Sequence, residues 1–292
     1  MDEDAGTALI RIRAALPALR PSERRIAELF LGGPAGTANL SIAEVAARCA
    51  TSTTSVVRFY QRLGYAHYKD FRIDVTRAVA REELTRPGLP ESGDIDRDDS
   101  LEGIVSKVAM NETLSIADTA RSLDTTALGQ AVELLLAARR IDSFGVGASA
   151  LVGLDLQQKL SRIGRTAINW PDSHSAWTSA ATLDPACVAV AVSHTGVTAD
   201  TVEFLSIARR SGAATVAITN FRDSPLARVA GVTLTTAARE TPFRSAALGS
   251  RIAQLMVVDC LFTGVAQGSY DSSMEALRNT YAVVHDRVVK RA

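Results

Sequence analysis

Val188-Ala189-Val190-Ala191-Val192-Ser193-His194-Thr195-Gly196-Val197-Thr198 is the stretch on which the reading of this 292-residue chain turns. Five consecutive apolar residues, too few for a buried helix, run into a corner rich in hydroxyls and glycine. This predicts a strand covered on both faces, ending in a loop, with a helix over Ala199–Arg210. The same pattern recurs along the chain. Ile141–Val146 predicts a strand, Gly145-Val146-Gly147-Ala148-Ser149-Ala150 its corner, and Leu151–Ile163 the helix that follows. Further pairs are Thr166–Trp170 with Ser175–Thr182, and Ala214–Thr219 with a short helix near Leu226. Val232–Thr235 is a last strand, and Arg244–Gly264 and Asp271–Val289 are closing helices. Five short strands alternating with helices predict a three-layer αβα domain around a five-stranded parallel sheet.

Upstream the pattern is helical throughout. Leu101–Leu123 and Thr126–Ala138 read as helices. The stretch 87–100, with two prolines, two glycines and five acids, has no apolar face to bury and reads as a linker. The fold class is therefore α plus α/β: an all-helical domain over 1–86, a linker over 87–100, and the αβα domain with flanking helices over 101–292. Pro21 opens a helix to about Leu31, which Gly32-Gly33-Pro34 ends. Ser41 and Glu44 form a capping-box pattern for a second helix. After a turn at Cys49-Ala50-Thr51, Ser52 caps a third helix with Val56, Phe59 or Tyr60, and Leu63 inward. Gly64 stops it, and a further amphipathic helix runs from Tyr68 to Ala80.

The net charge is zero, 32 basic against 32 acidic residues, which excludes a protein that coats nucleic acid by bulk attraction. Charge is nonetheless uneven. Between Arg20 and Arg81 ten basic residues face five acidic ones, giving +5 against −5 for the remainder. A basic head on an acidic body suits a protein whose head alone meets phosphate backbone, although a solvated helical surface gives the same balance. Cys49, Cys187 and Cys260, scattered among apolar residues, read as reduced core residues. No signal-like or membrane-spanning run is evident, so a cytoplasmic location with no membrane partner is expected. No His, Cys and acid cluster has metal-ligand spacing, and no metal or cofactor is expected.

Two short capped helices joined by a tight turn have the dimensions of a helix-turn-helix. With Val56, Phe59 and Leu63 inward, the second helix turns Thr53, Thr54, Arg58, Gln61 and Arg62 outward, where they can donate to phosphates and base edges. With Ser52 at the cap and Lys69 on the next helix, these are the candidate DNA contacts. A helical module that binds protein or merely packs is the plainer alternative.

Both corners of the body lie where a parallel strand ends and a helix begins, the position at which open α/β sheets bind ligands. Gly147 and Gly196 permit close backbone approach; Ser149, Ser193, Thr195 and Thr198 add hydroxyls beside His194; free amides at helix starts can donate to a phosphate. Gly145-x-Gly147-x-x-Ala150 also fits a dinucleotide fingerprint, with Asp172 after the second strand. The hydroxyl-rich second corner argues against that reading. Two ordinary capped turns remain the plain alternative.

The run Ser41-Ile42-Ala43-Glu44-Val45-Ala46, with Ser52 through Tyr65, Tyr68-Lys69-Asp70-Phe71 and Pro21 through Ala27, resembles the head of the RpiR/MurR transcriptional regulators. That family usually has glycine in the turn where this chain has Ala50, followed by Thr51. The second corner resembles the Ser-x-Ser-Gly-x-Thr loop of the SIS (sugar isomerase) domain, with Thr195 in place of serine. Glu240 and the stretch Phe243 to Leu255, including Ser245, are similar to the SIS domains of these regulators. The resemblance covers nearly the whole chain. It implies a non-enzymatic regulator that binds a double-stranded DNA operator, an inverted repeat, as a dimer or tetramer, under control of a sugar phosphate held by Gly147, Ser149, Ser193, His194, Thr195, Gly196, Thr198, Glu240 and Ser245. A SIS isomerase with a protein-binding head is the alternative, with Glu240, His194 and His174 as its candidate acid–base groups. His67 and His285 are expected on helix surfaces.

Overall fold

The computed structural model describes residues 7–84, 95–240 and 247–285. By its contacts the chain divides into two compact units between Leu114 and Ser115.

The N-terminal unit contains α1 (Ala8–Ala15), a 3-10 turn over Leu16–Ala18, α2 (Pro21–Gly32), α3 (Pro34–Thr37), α4 (Ile42–Arg48), α5 (Thr53–Arg62), α6 (Tyr68–Leu84) and the beginning of α7 (Leu101–Ser122). Its starts follow from local chemistry. Arg20 N donates to Glu23 Oε2 at 3.0 Å, and Ser41 N to Glu44 Oε2 at 2.8 Å, with Glu44 N returning a bond to Ser41 Oγ. Ser52 Oγ accepts from Ser55 N at 3.2 Å. Phe30, Phe59 and Phe71 fill the core with no exposure, Phe30 meeting Phe71 edge-on at 4.9 Å. Helix α1 was not foreseen. Thr7 caps it without a side-chain bond, yet it places Ala8, Leu9 and Ile12 in the same core. Pro34, expected only as a stop, occupies the first turn of α3.

Of the stretch read as a linker, 87–94 lies outside the described residues. The remainder forms a turn in which Lys107 Nζ approaches Asp99 at 2.8 Å and Asp96 at 3.1 Å. The division between units falls later, inside α7.

The C-terminal unit continues with α8 (Thr125–Ala137), β1 (Arg140–Gly145), α9 (Ala148–Arg162), β2 (Ala167–Asn169), α10 (Ser173–Ala180), β3 (Cys187–Val192), α11 (Ala199–Arg210), β4 (Ala214–Thr219), α12 (Pro225–Val229), β5 (Val232–Thr235), α13 (Leu248–Gly268) and α14 (Tyr270–His285). All five strands are parallel, in the order β2-β1-β3-β4-β5. The chain thus winds outward from β1 to β2, then returns past β1 to β3. A crevice opens at the carboxyl ends of β1 and β3, where Gly145 pairs with Val192.

Strand β3 decides how the layers pack. Val188, Val190 and Val192 point into a cluster with α8, α9 and α13, while Cys187, Ala189 and Ala191 point to the other face. The alanines leave room there for Phe144 and Phe204 beneath α10 and α11. Helix α13 is, among the described residues, the one helix long and apolar enough to cross a membrane. Its Val257, Val258, Leu261 and Val265 are instead fully buried in the first cluster. Cys49 and Cys187 are buried, Cys260 half-buried, and all three are free.

Candidate functional site

The two corners meet. Ser149, at the start of α9, and Ser193, at the end of β3, line one cavity of about 450 Å³ together with Val146, Ala148, His194, Thr195, Thr198 and, from the far side, Glu240, Ala247 and Ser250. This lies within the size range of small-molecule sites.

Backbone shape at the corners is enforced by contacts. Gly196 has φ +64°, and a Cβ there would stand 2.2 Å from Ser224 Oγ and 2.9 Å from Thr219 Oγ1. Gly147 has φ +63° with no atom within 4 Å of its missing Cβ, so its backbone borders open space. Gly145 has an ordinary φ, but a side chain would meet Ser149 and Val192 backbone at 2.8–2.9 Å, which brings α9 directly against the sheet. Inside the second corner Gly196 N donates to Ser193 Oγ at 3.1 Å, and Ser193 Oγ lies 3.2 Å from Thr198 Oγ1. Val197 N donates to Thr195 Oγ1 at 3.4 Å. Ser149 Oγ donates to Gln254 Oε1 at 3.3 Å.

Polar atoms without partners concentrate here. Among the described residues four buried side-chain nitrogen or oxygen atoms make no hydrogen bond; two of them, His194 Nδ1 and Glu240 Oε2, belong to residues of this wall. A third, Gln254 Nε2, belongs to the partner of Ser149. Such atoms are rare in folded proteins and mark a place where a ligand or water completes the bonding. Glu240 is half-committed, since its Oε1 accepts from Ser250 N at 2.7 Å. Burial holds the His194 imidazole below its usual pKa, opposed in part by the Glu240 carboxylate, so it is neutral at pH 7. Ala247, at φ +62°, is a non-glycine residue in the left-handed region, a strain of the kind that gathers at binding sites.

Sequence reasoning selected Gly147, Ser149, Ser193, His194, Thr195, Gly196, Thr198 and Glu240, all at or beside this cavity; Ser245 lies outside the described residues. It marked the stretch Phe243 to Leu255 by resemblance but did not single out Ala247, Ser250 and Gln254, which come to the site through the packing of α13. His174 is on α10 and does not line the cavity.

In the N-terminal unit Ser52, Thr53, Thr54, Arg58, Gln61, Arg62 and Lys69 are all exposed. The turn before α5 is made by Ala50 in the left-handed region, at φ 46°. Arg25 holds it, donating from Nε to Cys49 O at 2.8 Å and from Nη2 to Ala50 O at 3.2 Å. Arg62 differs from the rest of the set. Its guanidinium donates to Ala18 O at 3.0 Å and pairs at 3.6 Å with Glu23, whose side chain is 4% exposed. Arg58 and Gln61 remain outward donors of the helix, with Thr53 and Thr54 in its first turn.

The helix-turn-helix domain of the rpiR family matches residues 6–82, and the SIS domain matches 134–264. An uncharacterized HTH-type transcriptional regulator of Caldanaerobacter subterraneus subsp. tengcongensis is 34% identical, over 95% of this chain and 97% of its own length. The chain belongs to the rpiR family of transcriptional regulators. Among solved structures, the NanR protein of Vibrio vulnificus, complexed with ManNAc-6P, resembles this regulator with a TM-score of 0.61 and 27% identity, covering 97% of this chain and all of that one. The sugar isomerase domain of an RpiR transcription factor from Sphaerobacter thermophilus gives a TM-score of 0.56 and 26% identity, covering 60% of this chain and 97% of that one. This regulator thus joins a DNA-binding helix-turn-helix to a SIS domain.

Proposed function

We propose that this regulator holds the phosphoryl group of a sugar phosphate between the corners after β1 and β3, and that occupancy there sets its affinity for operator DNA. One observation carries the reading: hydroxyls of Ser149 and Ser193, from two separate strand-to-helix corners, line one cavity. Free amides at the start of α9 and Gly147's open backbone supply further donors, and Thr195 and Thr198 complete the ring. The neutral His194 and the unpaired oxygen of Glu240 face the sugar hydroxyls. The ligand is then a sensed effector and not a substrate. The relatives are named as regulators, and the NanR protein is complexed with ManNAc-6P. The DNA is contacted by Thr53, Thr54, Arg58, Gln61 and Lys69, with Ser52 at the helix cap, and two heads of a homo-oligomer read an inverted repeat about one turn apart. Coupling requires only that the effector bind one conformation more tightly than the other.

The test is a thermal-shift screen of phosphosugars, N-acetylmannosamine 6-phosphate included, with each hit repeated on Ser149→Ala and Ser193→Ala and in an operator-binding assay. Both variants are expected to lose the effector response and keep DNA binding. Loss of both properties together would defeat the division of labour. Turnover of any hit would favour the isomerase reading.

A further inference from the structure

The segment 236–240, which delivers Glu240 to the cavity, is not part of the sheet. Four successive amides of it are tied in alternation to two different supports. Thr236 N donates to Thr219 O (2.9 Å), the last residue of β4, and Ala238 N to Asn220 Oδ1 (2.7 Å), the residue after it. Ala237 N donates to Thr119 Oγ1 (3.0 Å) and Arg239 N to Ser115 Oγ (3.1 Å), both on the last turns of α7. The Arg239 side chain locks the second support: its Nε (2.8 Å) and Nη2 (2.6 Å) reach Oδ2 of Asp118, whose side chain is 1% exposed. On the remaining side, a Cβ on Gly249 would come within 2.9 Å of Arg239 O and 3.0 Å of Ser115 Oγ, so the start of α13 abuts the same strap. The next residue is Glu240, whose one bonded oxygen is fixed by Ser250 N.

A desolvated ion pair is a poor source of stability compared with apolar packing, but it tolerates only one arrangement of its partners. From this we infer that Arg239, held by Asp118, is a positioning residue for Glu240: it fixes which way the carboxylate faces the sugar end of the cavity and ties that carboxylate to α7. The inference rests on the phosphosugar reading of the pocket and assigns a role to a pair that does not touch ligand. The phosphate corners are built without Arg239. Its loss therefore acts on the sugar end alone.

The experiment compares the full chain with Arg239→Gln, Arg239→Lys, Ser115→Ala, Glu240→Gln and the Arg239→Gln/Glu240→Gln double variant. Two probes are used: inorganic phosphate and N-acetylmannosamine 6-phosphate, or the best hexose 6-phosphate of the screen. Exchange of the Ser250 amide is followed without ligand. Arg239→Gln should weaken the sugar phosphate about tenfold or more and phosphate by less than about twofold. The double variant should be no weaker than Glu240→Gln, and lysine should recover most of the loss. Ser250 exchange should quicken in Arg239→Gln. Ser115→Ala, which removes one amide acceptor and no charge, should give a smaller effect of the same pattern. Additive losses in the double variant, equal weakening of both probes, or unchanged Ser250 exchange overturns the inference. If the parent chain binds no sugar phosphate, the pocket reading fails, while Ser250 exchange still decides whether Arg239 orients Glu240.

Discussion

Substituting alanine at Gly196 and at Gly147 separates two costs that the corners combine. Both residues have φ near +64°. Alanine in such a backbone costs about 1–3 kcal/mol at either position. Only Gly196 adds a collision, because the new methyl would lie 2.2 Å from Ser224 Oγ and 2.5 Å from Ser224 Cβ. Ser224 cannot swing away freely, since its Oγ caps α12 by accepting from Ala227 N. Overpacking of this kind costs a further ~1–3 kcal/mol. Gly196→Ala should therefore destabilise the C-terminal unit by about 2–6 kcal/mol, and by about 1–3 kcal/mol more than Gly147→Ala. Urea unfolding at equal m-value reads this as a larger fall in midpoint. Equal midpoints for the two variants would refute the argument, showing that the second corner can relax away from Ser224. Gly147→Ala should in turn impair the phosphate response while losing only the backbone cost of about 1–3 kcal/mol, because its methyl enters open space beside the cavity.

Three further outcomes follow from the geometry. Ala50→Gly relieves a left-handed alanine worth about 1–2 kcal/mol but frees the unfolded chain by about 0.4–1 kcal/mol. The head should gain about 0.5–1 kcal/mol in urea unfolding; a loss would mean that the alanine packs. Arg58→Ala should weaken operator binding and lower the salt slope by about 1, whereas Arg62→Ala should chiefly destabilise the head by stranding buried Glu23, by about 1–3 kcal/mol. A salt-slope change for Arg62 equal to that for Arg58 would contradict this. His194 has a folded pKa below its unfolded value of about 6.5, so the unfolded chain takes up the proton first as pH falls. Stability is full above pH ~6.5 and declines toward the lowered folded pKa, by at most about 1.4 kcal/mol per pH unit. His194→Gln should flatten that decline between pH 7 and 5.5, and an unchanged slope would assign it to other groups.

What could be read before the structure was what local chemistry writes down. The strands over 214–219 and 232–235 and the helix over 199–210 fall where the residues place them, because short apolar runs bounded by glycine, serine and threonine have few other solutions. The capping pairs at Ser41 and Ser52 were equally legible. The turn at Cys49-Ala50-Thr51 was legible as well, though not that Ala50 would take the left-handed conformation to close it. Long-range pairing was not. Arg62 looks like any outward arginine until Glu23, 39 positions earlier, arrives beside it. Ser250 and Gln254 sit on a helix apolar on most sides, and their direction toward the cavity is settled by how α13 lies over the sheet. Helix α1 has a weak local signature and takes its stability from the aromatic core.

The pairing of Gly145 with Val192 has a selective consequence. Neighbouring strands stand about 4.8 Å apart whatever their side chains. The two jaws proposed to grip the anion are therefore set at a fixed gauge, belonging to the sheet and insensitive to substitution at the tips. Relatives sharing this gauge cannot distinguish their effectors at the anionic end. On the proposed reading, discrimination falls to the opposite bank, at Glu240, Ala247 and Ser250, which is where a change of effector would be engineered.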